Sequence, residues 1–209
     1  MVNGVTVYND DFKVDPVNDE IILADQTVNY SEKVYFMLNK PSGVVSATFD
    51  NNYETVIDIL NDYKKQGIFP VGRLDIDTEG LLLITNDGVL AHSLLSPKKH
   101  VDKEYYVEFD GEFLDEYYLE FEKGIELEDD FTTLPAKVIN LDKNKCNIII
   151  HEGKFHQVKR MFKALGMEVT FLSRVRFKNL LIDKSLELGQ FRKLTEEELE
   201  DLRNEDREN

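Results

Sequence analysis

VGRLDIDTEGLLLITNDG, residues 71–88, is the stretch whose reading decides the fold. Its second half, Leu81–Ile84 followed by Thr85, is a short apolar run that Asn86-Asp87-Gly88 ends with a turn signal, so it reads as a buried strand. Its first half sets Arg73, Asp75 and Asp77 at every second position. On an extended segment these three share one face, and Leu74 and Ile76 share the other. A carboxylate beside Gly80 and Leu81–Ile84 is expected to be partly desolvated, and burying an ionised carboxylate is costly unless a cation accompanies it. A cationic partner for Asp75 is therefore expected from another part of the chain.

Outward from this stretch, hairpin-linked strands alternate with helices. Lys33–Leu38 reads as a strand delivering the turn NKPSG, after which VVSAT resumes extended structure. Val56, Ile59, Leu60 and Tyr63 fall at helical spacing, with Gly67 placed to end the helix, and IFPVGR leads as a loop into the deciding stretch. A short helix is expected over Val89–Leu95, a strand over Lys103–Phe109 and an amphipathic helix over Phe113–Lys123. Ala136–Leu141 and Cys146–His151 read as a hairpin across DKNK. This mixture predicts an α+β fold with a mixed, largely antiparallel central sheet flanked by helices, rather than a doubly wound parallel sheet.

The clearest helical geometry lies in Phe155–Leu165. Phe155, Val158, Met161, Phe162 and Leu165 occupy one face, and His156, Lys159, Arg160 and Lys163 form a basic stripe opposite. Glu152-Gly153 precede this helix, whose first amides suit an anion. Arg174, Arg176 and Lys178 alternate along a following strand as a second basic row. The plainest reading of the stripe is a solvated face; its nearness to a second basic row favours a binding surface.

Length and composition bound the rest. The 209 residues, 42% of them hydrophobic, suffice for one substantial domain with a small appendage. No apolar run approaches the roughly 20 residues of a bilayer-spanning helix, and residues 1–30 lack the order of a secretory signal, so a cytoplasmic protein without membrane association is expected. Cys146 is the only cysteine, and the four histidines show no paired metal-ligand spacing, so no metal is expected. The net charge of −16 argues against a nucleic-acid partner until its distribution is read. Residues 110–130 carry −9 and residues 195–209 carry −6, leaving the remainder near neutral. Its cations cluster at Lys98–Lys103, Lys154–Lys163 and Arg174–Lys178, a basic surface opposed to acidic lobes.

GRLDIDTEGLLLITNDG resembles the catalytic motif of pseudouridine synthases, in particular the RsuA-type family that isomerises uridines in ribosomal RNA. NKPSGVVSA resembles the family's entry strand and turn, KEYYV its tyrosine-bearing strand, EGKFHQVKRMFKALG its basic motif and LELGQFRKLTEEEL its C-terminal signature. The five stand in family order over roughly residues 33–202. The resemblance implies the pseudouridine synthase fold and a catalysed breakage and re-formation of a glycosidic bond without cofactor. It implies Asp75 as nucleophile, attacking the uracil ring or ribose C1′, Tyr105 as the ring that stacks on the extracted base, and Lys159 as the cation paired with Asp75. Asp77 is then expected to brace the turn with Thr78, and Tyr106, alternating with Tyr105, to face the core. Arg73 is expected to contact the flipped nucleotide. Lys98, Lys99, Lys103, His156, Arg160, Lys163, Arg174 and Arg176 are expected to meet the RNA backbone.

Residues 1–30 resemble the second half of the S4 RNA-binding module that usually opens family members, without its N-terminal helices. Lower RNA affinity is expected from that loss. Residues 31–209 are expected to form the catalytic domain, ending in an acidic tail. HQVKRMF resembles the small-subunit branch, implying 16S rRNA as partner; a monomeric enzyme is expected. Two other functional readings are a large-subunit rRNA pseudouridine synthase and a non-catalytic rRNA-binding assembly factor. A third, an aspartate-dependent phosphatase suggested by Asp75–Thr78, fails on order: there the apolar strand precedes the aspartates, and here it follows them.

Overall fold

The computed structural model describes residues 1–9, 11–15, 19–23, 26–28, 32–128 and 130–204. The last five residues of the acidic tail, and parts of the S4-like segment, lie outside these. The chain divides into two compact units, Met1–Lys33 and Val34–Asn209. The first holds a two-stranded antiparallel ribbon of β1 (Ile21–Leu23) and β2 (Gln26–Val28).

The second unit runs β3 (Tyr35–Lys40), α1 (Val56–Ile59), β4 (Phe69–Pro70), β5 (Glu79–Thr85), α2 (Gly88–Leu95), β6 (Lys103–Asp110), α3 (Tyr117–Lys123), β7 (Lys137–Asp142), β8 (Lys145–Ile150), α4 (Gln157–Ala164), β9 (Glu168–Phe177), β10 (Leu180–Leu181), β11 (Phe191–Lys193) and α5 (Glu196–Arg203). Its sheet is ordered β11-β3-β5-β9-β6-β8-β7, with β4 edging β5 and β10 edging β9. All pairings are antiparallel except β5 with β9. This is the mixed, largely antiparallel α+β sheet that the sequence predicts.

β5 explains the apolar run of the deciding stretch. Leu82 and Ile84 enter a core with Phe36, Leu38, Val107 and Phe162, whereas Leu81 and Leu83 enter a second core with Met37, Leu94 and Leu202. A strand covered on both faces must be apolar at successive positions, so the usual alternation disappears. Asp87, placed by the NDG turn, caps α2 by accepting from the amides of Val89 and Leu90, and also accepts from the Tyr35 hydroxyl at 2.8 Å.

Gly80 fixes the junction with β9. Its φ is +95°, and a Cβ there would lie 2.4 Å from the Arg174 carbonyl oxygen. Only glycine permits this approach. The parallel pairing of Gly80 with Arg174 thereby anchors the strand immediately after the aspartate-bearing turn.

Several local expectations are corrected. Residues 71–78 form turns rather than a strand, with the Thr78 amide donating to the Asp75 carbonyl at 3.1 Å. The facing of Arg73, Asp75 and Asp77 therefore does not follow strand alternation, and Ile76 is exposed instead of buried. The helix expected to follow Thr55 is one α-helical turn continued by a 3-10 helix, Asn61–Gln66, ending at Gly67 in the left-handed conformation. VVSAT forms only an isolated bridge from Val45 to Thr55. The helix expected from Phe113 begins at Tyr117. Phe155 is outside α4, which starts at Gln157. Part of the acidic tail is folded: Thr195 and Glu198 form a capping box on α5, and Arg192 binds Glu198 at 2.7 Å.

Candidate active site

The turn carrying Asp75 is held from three sides. Ser46 Oγ accepts from the Leu74 amide and donates to the Leu74 carbonyl, both at 3.0 Å. The Gly43 amide donates to the Ile76 carbonyl at 2.8 Å. Lys40, wholly buried at the end of β3, donates from Nζ to the carbonyls of Pro41, Ile76 and Thr78 at 3.0, 3.3 and 2.9 Å. Burial pushes its ammonium down to about 8, against the opposing pull of Asp77, Asp75 and Glu79. Charge in the deciding stretch is thus matched by charge beneath it.

From α4, Lys159 reaches this turn. Its Nζ lies 2.5 Å from Asp77 Oδ1 and 3.8 Å from Asp75 Oδ2. The cation expected to pair with Asp75 therefore bridges both carboxylates and bonds directly to Asp77. Asp77 does not brace Thr78, whose hydroxyl is buried without a partner. Burial raises the Asp77 carboxyl, but the hydrogen bond and charge of Lys159 outweigh it and hold the group below the usual carboxylate range. His156 Nε2 stands 3.7 Å from Asp75 Oδ1, a second potential cation on the same carboxylate. Asp75 itself keeps a quarter of its side chain exposed, open to a ligand.

Tyr105 on β6 forms part of the wall of the small pocket, about 60 Å³, that contains Asp75, with Leu74, Ile150, Val158 and Leu172 as apolar lining. This pocket shares Arg73, Gly153 and Lys154 with two larger clefts of about 510 and 620 Å³. The first is flanked by Pro97, His100, Lys103 and Arg174; the second by Val45–Ala47, Asp50 and Ile76. A carboxylate flanked by a lysine and a histidine, beside a tyrosine ring and open to wide clefts, can act as a nucleophile on a bound planar group.

The expected basic surface is rearranged. Arg174 is buried, its Nε donating to the Leu81 carbonyl at 2.8 Å and its guanidinium over Phe177. Arg176 is taken by Glu104 at 2.8 Å and Asp102 at 3.3 Å. Lys178 is buried and donates to the Leu202 and Asn204 carbonyls at the end of α5. The second basic row fails because the pairing of β6 with β9 shifts register here, Glu104 facing Arg176 and Tyr105 facing Arg174, and because Lys178 leaves the strand with φ +54°. Lys103 is half-buried and donates to the Val101 carbonyl at 2.7 Å; burial first, then the Arg174 charge, push it down to about 8. Lys163 pairs with Glu128 at 2.9 Å, so an acidic lobe touches the stripe that was expected to oppose it. Arg160 is half-buried, while Arg73, Lys98 and Lys99 are exposed.

The expectation that Tyr106 faces the core is corrected. Tyr105 faces the core with Val107 and Phe109, whereas Tyr106 lies on the other face, its ring against Phe171 and its hydroxyl donating to Glu108 at 2.6 Å. The sequence reading missed Lys40, Ser46 and Gln157. Gln157, buried at the start of α4, donates to Glu152 and accepts from the Lys154 amide, both at 2.9 Å, and so locks the loop before the helix. NKPSG and HQV hold the signal: a lysine ending an apolar strand and a glutamine opening a helix are polar residues where burial is expected.

A mixed sheet that carries two aspartates sharing one lysine, beside a histidine and a tyrosine ring in an open pocket, defines a candidate enzyme active site. The sequence profile of the family described as RNA pseudouridylate synthase matches residues 34–164, and the chain belongs to that family. It is 44% identical over 204 residues to an uncharacterized RNA pseudouridine synthase, YtzG, of Bacillus subtilis, covering 95% of this chain and 85% of that one. It is 40% identical to ribosomal small subunit pseudouridine synthase A of Haemophilus influenzae, covering 96% and 87%, and 38% identical to the Escherichia coli protein of that name, covering 95% and 86%. A crystal structure of a pseudouridylate synthase superposes with a TM-score of 0.78 at 39% identity, covering 97% of this chain and 87% of that one. The protein is thus an RNA pseudouridine synthase, an isomerase, and the resemblance read from its motifs is borne out. Among the described residues no helix is long and apolar enough to cross a membrane.

Proposed function

We propose that this enzyme converts one uridine of small-subunit ribosomal RNA to pseudouridine, with Asp75 as nucleophile. The observation that carries the assignment of roles is the meeting of Asp75, His156 and Tyr105 at one pocket, with Lys159 3.8 Å from the Asp75 carboxylate, from three separated segments. Relatives named for the small ribosomal subunit, aligned over nearly the whole chain, support the substrate. The family relation and the intact carboxylate–cation–tyrosine set weigh against a non-catalytic assembly factor, and the HQVKRMF motif weighs against a large-subunit target.

The reaction breaks the bond from ribose C1′ to uracil N1 and makes one from C1′ to C5; C5 loses a proton and N1 gains one. Attack by Asp75 on the uracil ring or on C1′ needs an ionised carboxylate, and the Lys159 ammonium stands 3.8 Å from it. Tyr105 offers its ring face to the extracted base. Arg73, exposed at the mouth of all three cavities, is placed to meet the nucleotide's phosphate. A base in a stacked helix cannot reach Asp75, so the uridine is extruded before reaction.

Residues 1–30 are assigned as a partial S4-like RNA-binding segment and 31–209 as the catalytic domain, a division supported by the compact units Met1–Lys33 and Val34–Asn209. The reading is of a monomeric enzyme acting in the cytoplasm, where ribosomal RNA is assembled. The test is incubation with unmodified small- and large-subunit rRNA, followed by carbodiimide-block primer extension. A new stop at one uridine is expected; stops confined to large-subunit rRNA would overturn the substrate assignment.

A further inference from the structure

Phe155 lines the 620 Å³ cleft that contains Asp75, and 73% of its surface is exposed. Single exposed hydrophobics are ordinary. Three observations set this one apart. Its ring stacks on His156 at 3.8 Å between centroids and 18° between planes, so the side chain is held in place while still facing solvent. His156 adopts a left-handed conformation, φ +48°, and makes no side-chain cap bond to the helix it precedes. A non-glycine residue in that region carries backbone strain, which concentrates at functional sites. The loop is also pinned: the Gln157 side chain accepts from the Lys154 amide at 2.9 Å, and the Gln157 amide donates to the Lys154 carbonyl at 3.2 Å. The strain therefore supports a fixed aromatic ring one residue from the histidine that contacts Asp75.

We propose that Phe155, braced by His156, is the wedge that fills the gap left in the RNA stack while the target uridine occupies the Asp75 pocket. The inference rests on the proposed rRNA substrate. Extruding a base breaks stacking on both of its faces, and the free face of Phe155, whose other face rests on His156, restores an aromatic contact to one neighbour. A flat apolar ring suits this, because every base presents a π face whatever its sequence. The His156 ring behind it limits retreat, and its Nε2, 3.7 Å from Asp75, ties insertion of the wedge to arrival of the base.

The test uses a small-subunit rRNA hairpin containing the target uridine, with 2-aminopurine as its 3′ neighbour, and a second RNA of the same sequence left unstacked by abasic flanking sites. Single-turnover pseudouridine formation is measured on both for the wild type, Phe155→Ala, Phe155→Leu and Phe155→Trp. Stacking by one aromatic side chain predicts that Phe155→Ala lowers the ratio of rates, folded over unstacked, on the order of 5- to 150-fold. Phe155→Leu, which keeps apolar bulk but no π face, should fall between, and Phe155→Trp should restore the ratio. With the uridine extruded, the 2-aminopurine should stay stacked on the wild-type ring and its signal low, and it should rise with Phe155→Ala, which leaves it unstacked. An unchanged ratio, or equal loss on both RNAs, would overturn the wedge alone; an inactive wild type would overturn the substrate assignment and the wedge with it.

Discussion

Replacing Lys40 with methionine removes the buried ammonium under the catalytic turn while keeping most of the side-chain volume. Three donated bonds are lost, but the Ile76 carbonyl keeps the Gly43 amide at 2.8 Å. The other two bonds, from a charged donor, amount to about 3–6 kcal/mol. Against this, the fall of the lysine from its ordinary 10.5 to about 8 represents about 3 kcal/mol of desolvation that methionine avoids. The net loss at neutral pH is about 0–3 kcal/mol, or up to about 12 °C in Tm for a chain of this size. The pH dependence is the sharper arm. Below pH 8 Lys40 is charged in the folded and unfolded states alike. Between about 8 and 10.5 the folded protein has released the proton while the unfolded chain retains it, so wild-type stability rises with pH relative to the variant. From pH 7 to 9.5 the gap should widen by about 2 kcal/mol. Thermal unfolding of both proteins across that range measures it. A gap that stays constant or narrows would refute the account of Lys40 as a costly, desolvated cation retained to shape the turn.

Gly80→Ala should cost about 3 kcal/mol or more, lowering Tm by about 6–12 °C, because the new Cβ meets the Arg174 backbone at a φ of +95°; differential scanning calorimetry reads it. Lys159→Met should slow turnover on the order of 10²-fold by leaving Asp75 and Asp77 without their shared cation, whereas Asp77→Asn, at an exposed carboxylate, should stay within about 10-fold. Single-turnover rates rank the two. Cys146, buried and pushed up to about 12, should resist iodoacetamide in the folded protein at pH 8 and react once unfolded, as mass spectrometry would show.

The legibility of the sequence followed the physics of each segment. Leu81–Ile84 announced a buried strand because both faces of β5 enter cores, and the NDG turn located both its end and the cap of α2. Asp75 was legible as a carboxylate in need of a cation, and Lys159 and His156 do approach it from α4. The division of Lys159 between two carboxylates was not legible, because it depends on a turn where alternation suggested a strand. The fate of Arg174 and Arg176 was hidden for a similar reason: a register shift decides which arginine is buried, and no local residue signals it. Lys40 and Ser46 act through backbone carbonyls and amides of a segment about 30 residues away, contacts that side-chain patterns do not encode.

The most direct test of the central claim is Asp75→Asn. The substitution keeps shape and hydrogen bonding but removes the negative charge, so binding and turnover should separate. Small-subunit rRNA is incubated with wild type or variant, its affinity measured by filter binding and its pseudouridine mapped by carbodiimide-block primer extension. The account predicts a stop at one uridine with the wild type, none with Asp75→Asn, and RNA affinity retained by both. Undiminished modification by Asp75→Asn would contradict it.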